Sequence, residues 1–426
     1  MRKRFIGGLL TAAMCTTLLG GQCVWADSSA TVTVLHNLNE DSAIQWLDAV
    51  KEKFEEENPD ITIDLEVLSA DDYNSMLRNK IASDDVPDIF FLNDIHKLSE
   101  FIEAGLCTDI SEESWLKENI QEDSIEACKN DDGSVSVLPQ FISGMYVTYN
   151  KDVFSSAGIE AIPETWSEFI EDCKKIQDSG LAAIACGYQD AWTMYSAEQC
   201  DSIVTTLKND PNNRLDLEAG TTTFAEDKGK FSEVLERMKE SFQYANDDPF
   251  GTDWNTAVSM LATGKAGMIL NGSWTAAAVK NVNPDVNIGI FPLPLTENKE
   301  DALLPLHTSP GGFAVYNESP NKDAAMKFLE YLSTSEAGAL EQDLKGDISA
   351  CKGIEVPEDS LLYDVNQYIE NNKVFDWSGY TEQFVSDELQ QITTDVEVEF
   401  LTSDMDVQAA LKELDEKFAA ALSAQK

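Results

Sequence analysis

The sequence predicts an α/β protein built on doubly wound, mostly parallel sheets. Two observations carry this. Apolar runs of strand length alternate with amphipathic segments of helix length, and three such β-α units fit between Thr31 and Ala104. Polar residues recur just where those strands end, which is the open edge at which such sheets bind ligands.

In order, Thr31 to Leu35 reads as a strand. Ile44, Leu47, Val50 and Phe54 mark one face of a helix that stops near Asn58, Pro59 and Asp60. Ile61, Ile63, Leu65 and Val67 alternate as a second strand, followed by a helix to about Ile81. Ile89 to Leu92 is a buried run, with a helix from about Ile95 to Ala104. A further region begins after Val135 to Pro139. Met145 to Tyr149 is a strand, and Thr165 with Glu168 has capping-box spacing ahead of the stripe Phe169, Ile170, Cys173 and Ile176. Helices are expected at Phe231–Ala245, Asn255–Thr263 and Val407–Leu422. Strands are expected at Ala266–Leu270, Ile288–Pro294 and Gly312–Tyr316, and Ser319 and Pro320 fit the N-cap and first position of a helix to Leu332.

Arg2, Lys3 and Arg4, the uncharged stretch Phe5 to Gly21, and Val24-Trp25-Ala26 before Asp27 together read as a signal peptide over residues 1–26. A membrane anchor fits less well, because the uncharged run is short and broken by glycines. Leu19 to Cys23 is lipobox-like, but Gln22 stands where a small residue belongs. Cleavage after Ala26 is therefore expected, with lipid attachment at Cys23 as the rival. The 400 residues that follow suffice for two domains. With 30 basic against 77 acidic side chains the chain is strongly anionic, which argues against nucleic acid and anionic lipid as partners. Cys107, Cys128, Cys173, Cys186, Cys200 and Cys351 have no Cys-x-x-Cys spacing and several lie in apolar helical patterns, so no metal site or pairing follows from them.

The candidate ligand groups lie at strand ends. Trp192 follows the run Ala182 to Cys186, and Trp274 follows Ala266 to Leu270. An aromatic face beside amides and carboxylates suits a sugar ring, with its apolar C–H faces and hydroxyl rim. His36 and Asn37, Ser69, and Asn93 and Asp94 sit at the ends of the first three strands; helix capping is the alternative role for Asn93 and Asp94.

Val137-Leu138-Pro139 through Met145 to Phe154 resembles a stretch of the solute-binding proteins of bacterial ABC importers, in the carbohydrate-binding group (family 1). Ala157-Gly158-Ile159, Pro163 to Trp166, Gly264 to Met268, Asn271 to Trp274, Phe291 to Pro294 and Asn321 to Ala325 add to the resemblance in family order. It implies a two-lobe periplasmic-binding-protein-like fold (type II) whose hinge is crossed three times. Lobe one would be 27–141 plus 288–338 and lobe two 142–287 plus 339–426, with crossings near Phe141 to Gly144, near Asn287 and after Ser335. The loop Gly346 to Cys351 departs from the family by lacking a proline.

The resemblance further implies capture of a carbohydrate, closure and delivery to the transmembrane subunits of an ABC permease. The chain would act outside the cytoplasm as a monomer, with no cofactor, no metal and no catalysis. Trp274, Trp192 and Trp377 would stack on sugar faces. Asp94, Asp190, Asn37 and Asn93 would bond hydroxyls, Tyr73 and Phe141 would close the pocket from lobe one, and Gly312 would let backbone amides approach the ligand. The rivals are a secreted glycoside hydrolase, which needs two carboxylates across a cleft, and a polyamine- or cation-binding protein of the same fold, which needs a carboxylate-rich pocket. No nucleophile elbow, His-Glu-x-x-His, P-loop or Gly-x-Gly-x-x-Gly accompanies the acids.

Overall fold

The computed structural model describes residues 30–424 apart from 94, 96, 97, 131, 309, 310, 358, 359, 379, 381–383 and 385, together with every side chain in that range except those of 70, 71 and 141. The leader, its cleavage site and Cys23 lie outside the described residues. The strands are β1 (Ala30–His36), β2 (Ile61–Val67), β3 (Ile89–Leu92), β4 (Leu138–Pro139), β5 (Phe141–Asn150), β6 (Ala182–Ile184), β7 (Ala266–Gly272), β8 (Ile288–Phe291), β9 (Leu304–Thr308), β10 (Gly312–Val315), β11 (Ile348–Ser349) and β12 (Val374–Asp376). They form two sheets. The first has the order β2-β1-β3-β10-β4 and the second β12-β9-β5-β7-β6, with β8 and β11 also paired to β5.

In each sheet one strand runs against the rest. It is β10 in the first, antiparallel to β3 and β4, and β5 in the second, antiparallel to β7, β8, β9 and β11. Each is the first strand after the chain has crossed from the other lobe. The remaining pairs among β1, β2 and β3, β6 and β7, and β9 and β12 are parallel, with helices covering the faces.

The strand pairing corrects two expected boundaries. Residues 288–308 belong with the second sheet, because β8 and β9 find their hydrogen-bond partners along β5. The second crossing therefore follows β9, after Thr308, instead of lying near Asn287. The helix Ser335–Lys345 packs along Asp41–Glu57, and Ala350 and Cys351 join the core of the first lobe, so the third crossing follows Ile354 and not Ser335.

Local chemistry explains the elements. Thr165 Oγ1 accepts the Glu168 amide at 3.2 Å and starts the helix Trp166–Asp178, while the Glu168 carboxylate reaches back to the Glu164 amide at 2.9 Å. Phe169, Cys173 and Ile176 are its buried stripe. The helix expected to begin at Pro320 begins at Lys322. Ser319 is taken up by Asp88, which accepts its hydroxyl and also the Thr33 amide, tying the helix start to β1. The first lobe buries Trp46, Phe54, Phe90, Phe313 and Phe328 in one core. The second lobe has a sheet core around Val147, Phe169, Met268 and Phe291, and an all-helical core around Phe224, Phe384, Phe400 and Phe418.

Gly312 shows how tightly β10 is inserted. A Cβ there would lie 1.8 Å from the Leu138 carbonyl oxygen of β4, a backbone atom that cannot swing aside. Gly312→Ala is expected to destabilise the fold by at least about 3 kcal/mol. An unchanged thermal midpoint would contradict this approach of the two strands.

Candidate functional site

The parallel neighbours β6 and β7 both end at one edge of the second sheet, and that register brings two distant tryptophans together. Trp192 lies in the first turn of the helix Ala191–Asn209, and Trp274 directly precedes the helix Thr275–Val282. Their ring centroids are 6.3 Å apart at 52°, and both residues remain partly exposed. Trp254 backs Trp192 at 5.1 Å and is buried. The Trp274 indole lies over the backbone of Gly272, where a Cβ would come within 2.2 Å of the ring. Only glycine leaves room for that placement. The buried Trp274 Nε1 has no protein hydrogen-bond partner. Such a donor is costly in a dry site unless something accepts from it.

The first lobe presents Asn37 at the end of β1. It is 8% exposed, and its Oδ1 has no protein partner; the same holds for Ser42 Oγ in the first turn of the following helix. Burial lowers the His36 pKa to about 4, so its imidazole is neutral. Asn93 is exposed after β3, while Asp94 and the Phe141 side chain lie outside the described residues. The lobes meet here, since the helix Asp41–Glu57 touches Thr275–Val282.

Five expected ligand groups have other employment. Tyr73 is fully buried in the first core: its hydroxyl accepts the Phe91 amide and donates to the Phe91 carbonyl at 2.7 Å, so it braces β3 instead of closing a pocket. Asp190 accepts the Trp254 amide at 2.8 Å, so one of its oxygens fixes the start of the helix Trp254–Ala262. Gly312 lies against the β4 backbone, where its lack of a side chain is required. Trp377 is 7% exposed and lies flat on His307, with centroids 3.7 Å apart at 15°; its face on that side is occupied by imidazole. Ser69 caps the helix Ala70–Ala82 by accepting the Asp72 amide.

Sequence reasoning missed a buried charged cluster beside Trp274. Lys345 Nζ lies 2.9 Å from Asp347 Oδ2 and 3.5 Å from Glu341 Oε1, and Asp347 Oδ1 accepts the Ser273 hydroxyl. Burial pushes the Glu341 pKa up to about 7 and raises that of Glu40. Burial works against the charge of Lys345, yet Asp347 and Glu341 hold it above its ordinary value. The only local signal in the sequence is Gly346, which ends the helix Ser335–Lys345 in the left-handed region at φ 81°. Among the described residues no group of three or more His, Cys, Asp or Glu side chains is arranged to hold a metal ion, and no helix is long and apolar enough to cross a membrane.

Residues 39–339 match the family model for bacterial extracellular solute-binding proteins. The multiple sugar-binding protein of Streptococcus mutans is 25% identical over 87% of this chain and 89% of its own length. The melibiose/raffinose/stachyose-binding protein MelE of Bacillus subtilis is 24% identical over 71% of this chain and 70% of its own. Among solved structures, RafE in complex with raffinose superposes with a TM-score of 0.72 at 20% identity, covering 91% of this chain and 99% of that one. A chitin oligosaccharide binding protein superposes with a TM-score of 0.76 at 20% identity, covering 93% and 100%.

Proposed function

We propose that this chain, which belongs to the bacterial extracellular solute-binding protein family, captures a carbohydrate between its lobes and delivers it to an ABC permease. As a member of that family it is a receptor that acts outside the cytoplasm, not an enzyme. The observation that carries the carbohydrate reading is the partly exposed Trp192–Trp274 pair at the interlobe edge. A pyranose supplies an apolar face to stack there and a rim of hydroxyls for polar neighbours. Asn37 offers a buried amide at the end of β1 whose Oδ1 has no protein partner. The named ligands of the sugar-binding relatives agree with this chemistry. The chain works as a monomer released by cleavage after Ala26. An intact-mass measurement separates this from lipid attachment at Cys23.

The test is a thermal screen of the mature protein with raffinose, stachyose, chitotriose, spermidine and calcium, since a ligand selective for the folded state raises its stability. An oligosaccharide is expected to raise the midpoint, and Trp274→Ala to weaken its binding by about 30-fold, the loss of one aromatic anchor. A response confined to spermidine or calcium, or sugar cleavage that continues over many turnovers, would overturn the proposal.

A further inference from the structure

The turn that carries Trp274 is hydrogen-bonded to one segment that crosses between the lobes and to the loop that follows the first-lobe helix Ser335–Lys345. At the first crossing, on β5, the Gly144 carbonyl accepts the Ser273 amide at 2.9 Å, and Ser143 Oγ lies 3.4 Å from Ser273 Oγ. On the way to the third, Asp347 accepts the Ser273 hydroxyl. Asp347 is fully buried, and Ser273 is 4% exposed. Asp347 is in turn anchored to the first lobe: Lys345 pairs with it at 2.9 Å, and the same ammonium lies 5.4 Å over the ring of Trp46 in the helix Asp41–Glu57. An unbroken series of contacts therefore runs from the first lobe through Trp46, Lys345 and Asp347 to Ser273, the residue before the indole.

We propose that Asp347 and Ser273 are positioning residues for Trp274, coupling the hinge angle to the placement of the indole. Ser273 has short reach and a single hydroxyl proton, so it satisfies Asp347 only while β5 and the loop after Lys345 keep this separation. Asp347 lies between the first-lobe helix Ser335–Lys345 and β11, which pairs with β5, so a change of hinge angle strains its bond to Ser273 and the turn loses that charge-assisted bond. Trp274 is thus fixed over Gly272 in one hinge state and released in the other. The ligand arm of the test rests on the carbohydrate reading; the ligand-free arm does not.

The experiment compares Ser273→Ala, Ser273→Thr and Asp347→Asn in the full mature chain. The ligand-free readouts are the Trp274 component of the emission, taken as the difference from a matched Trp274→Phe partner, and small-angle scattering. Ser273→Ala and Asp347→Asn are expected to shift that component to the red and enlarge the radius of gyration. Ser273→Thr, which keeps the hydroxyl, restores both. For the sugar of the screen that binds wild type, Ser273→Ala weakens binding about tenfold or more, the worth of a bond to a charged group, and Thr rescues it. A folded Ser273→Ala protein with unchanged emission component and scattering overturns the coupling. So does a red shift that Thr fails to rescue. If no sugar binds wild type the capture reading fails, and the ligand-free arm still decides this one. If Asp347→Asn does not fold, the two Ser273 variants decide it.

Discussion

Arg214→Ala is expected to destabilise the second lobe by about 3–5 kcal/mol, a large share of the total that holds a typical protein folded. The guanidinium sits in the all-helical core with its side chain 2% exposed, 3.0 Å from Glu198. It also lies 5.2 Å over the ring of Phe231 and 5.0 Å over that of Phe384. Alanine would leave a cavity between those rings and take from a fully buried carboxylate the cation facing it. The second effect dominates, because breaking a buried ion pair by removing one partner is strongly destabilising. The thermal midpoint should fall by on the order of 10 °C. A fall of less than about 2 °C would show that the pair is immaterial. Replacing both partners together, Arg214→Met with Glu198→Leu, should recover most of the loss.

Stability is expected to decline on the acid side of neutrality because of two buried histidines. Burial depresses His36 to about 4 and His307 to about 3. Both are neutral in the folded chain at pH 5, whereas an unfolded histidine takes up a proton below about 6.5. In that window the unfolded state binds more protons, so unfolding is favoured as pH falls. Each contributes up to about 2 kcal/mol of loss between pH 6.5 and 5. His36 carries the larger share in practice, since His307 keeps a partly exposed edge beside Trp377. Glu341 acts in the opposite sense. Its raised pKa makes the folded state hold a proton that the unfolded state releases, so its contribution falls as pH rises from about 4.3 towards 7. Denaturant unfolding of wild type and His36→Asn at pH 7.5 and 5 isolates the histidine term. Wild type should lose more than the variant across this interval, and parallel losses would refute the assignment.

Much of the fold was legible because its units are local. The β-α alternation from Thr31 to Leu92 and the Thr165 cap write themselves into short windows of sequence. What could not be read was which sheet an apolar strand joins. Ile288 to Phe291 is suitable for either lobe, and only its pairing with Tyr149 and Asn150 of β5 decides. The site divides the same way. Trp192 and Trp274 could be placed by their strand-end positions. Tyr73 could not, because a buried tyrosine that braces two backbone groups has the same helical spacing as one that points into a cleft. Trp377 was misjudged for want of His307, 70 residues earlier, which occupies one of its faces. The Lys345–Asp347–Ser273 cluster joins residues from both lobes, and no window of sequence contains it.

Cys107, Cys128, Cys173, Cys186, Cys200 and Cys351 are all buried and unbridged. Burial pushes the Cys107, Cys186 and Cys351 thiols up to about 12. At neutral pH they offer almost no thiolate, and a maleimide dye has no route to them. Residues 30–424 are therefore expected to be silent to thiol labelling. A fluorophore pair attached through new cysteines at exposed Glu52 and Asp178, one on each lobe, would read the opening angle by energy transfer without any native sulfur being removed.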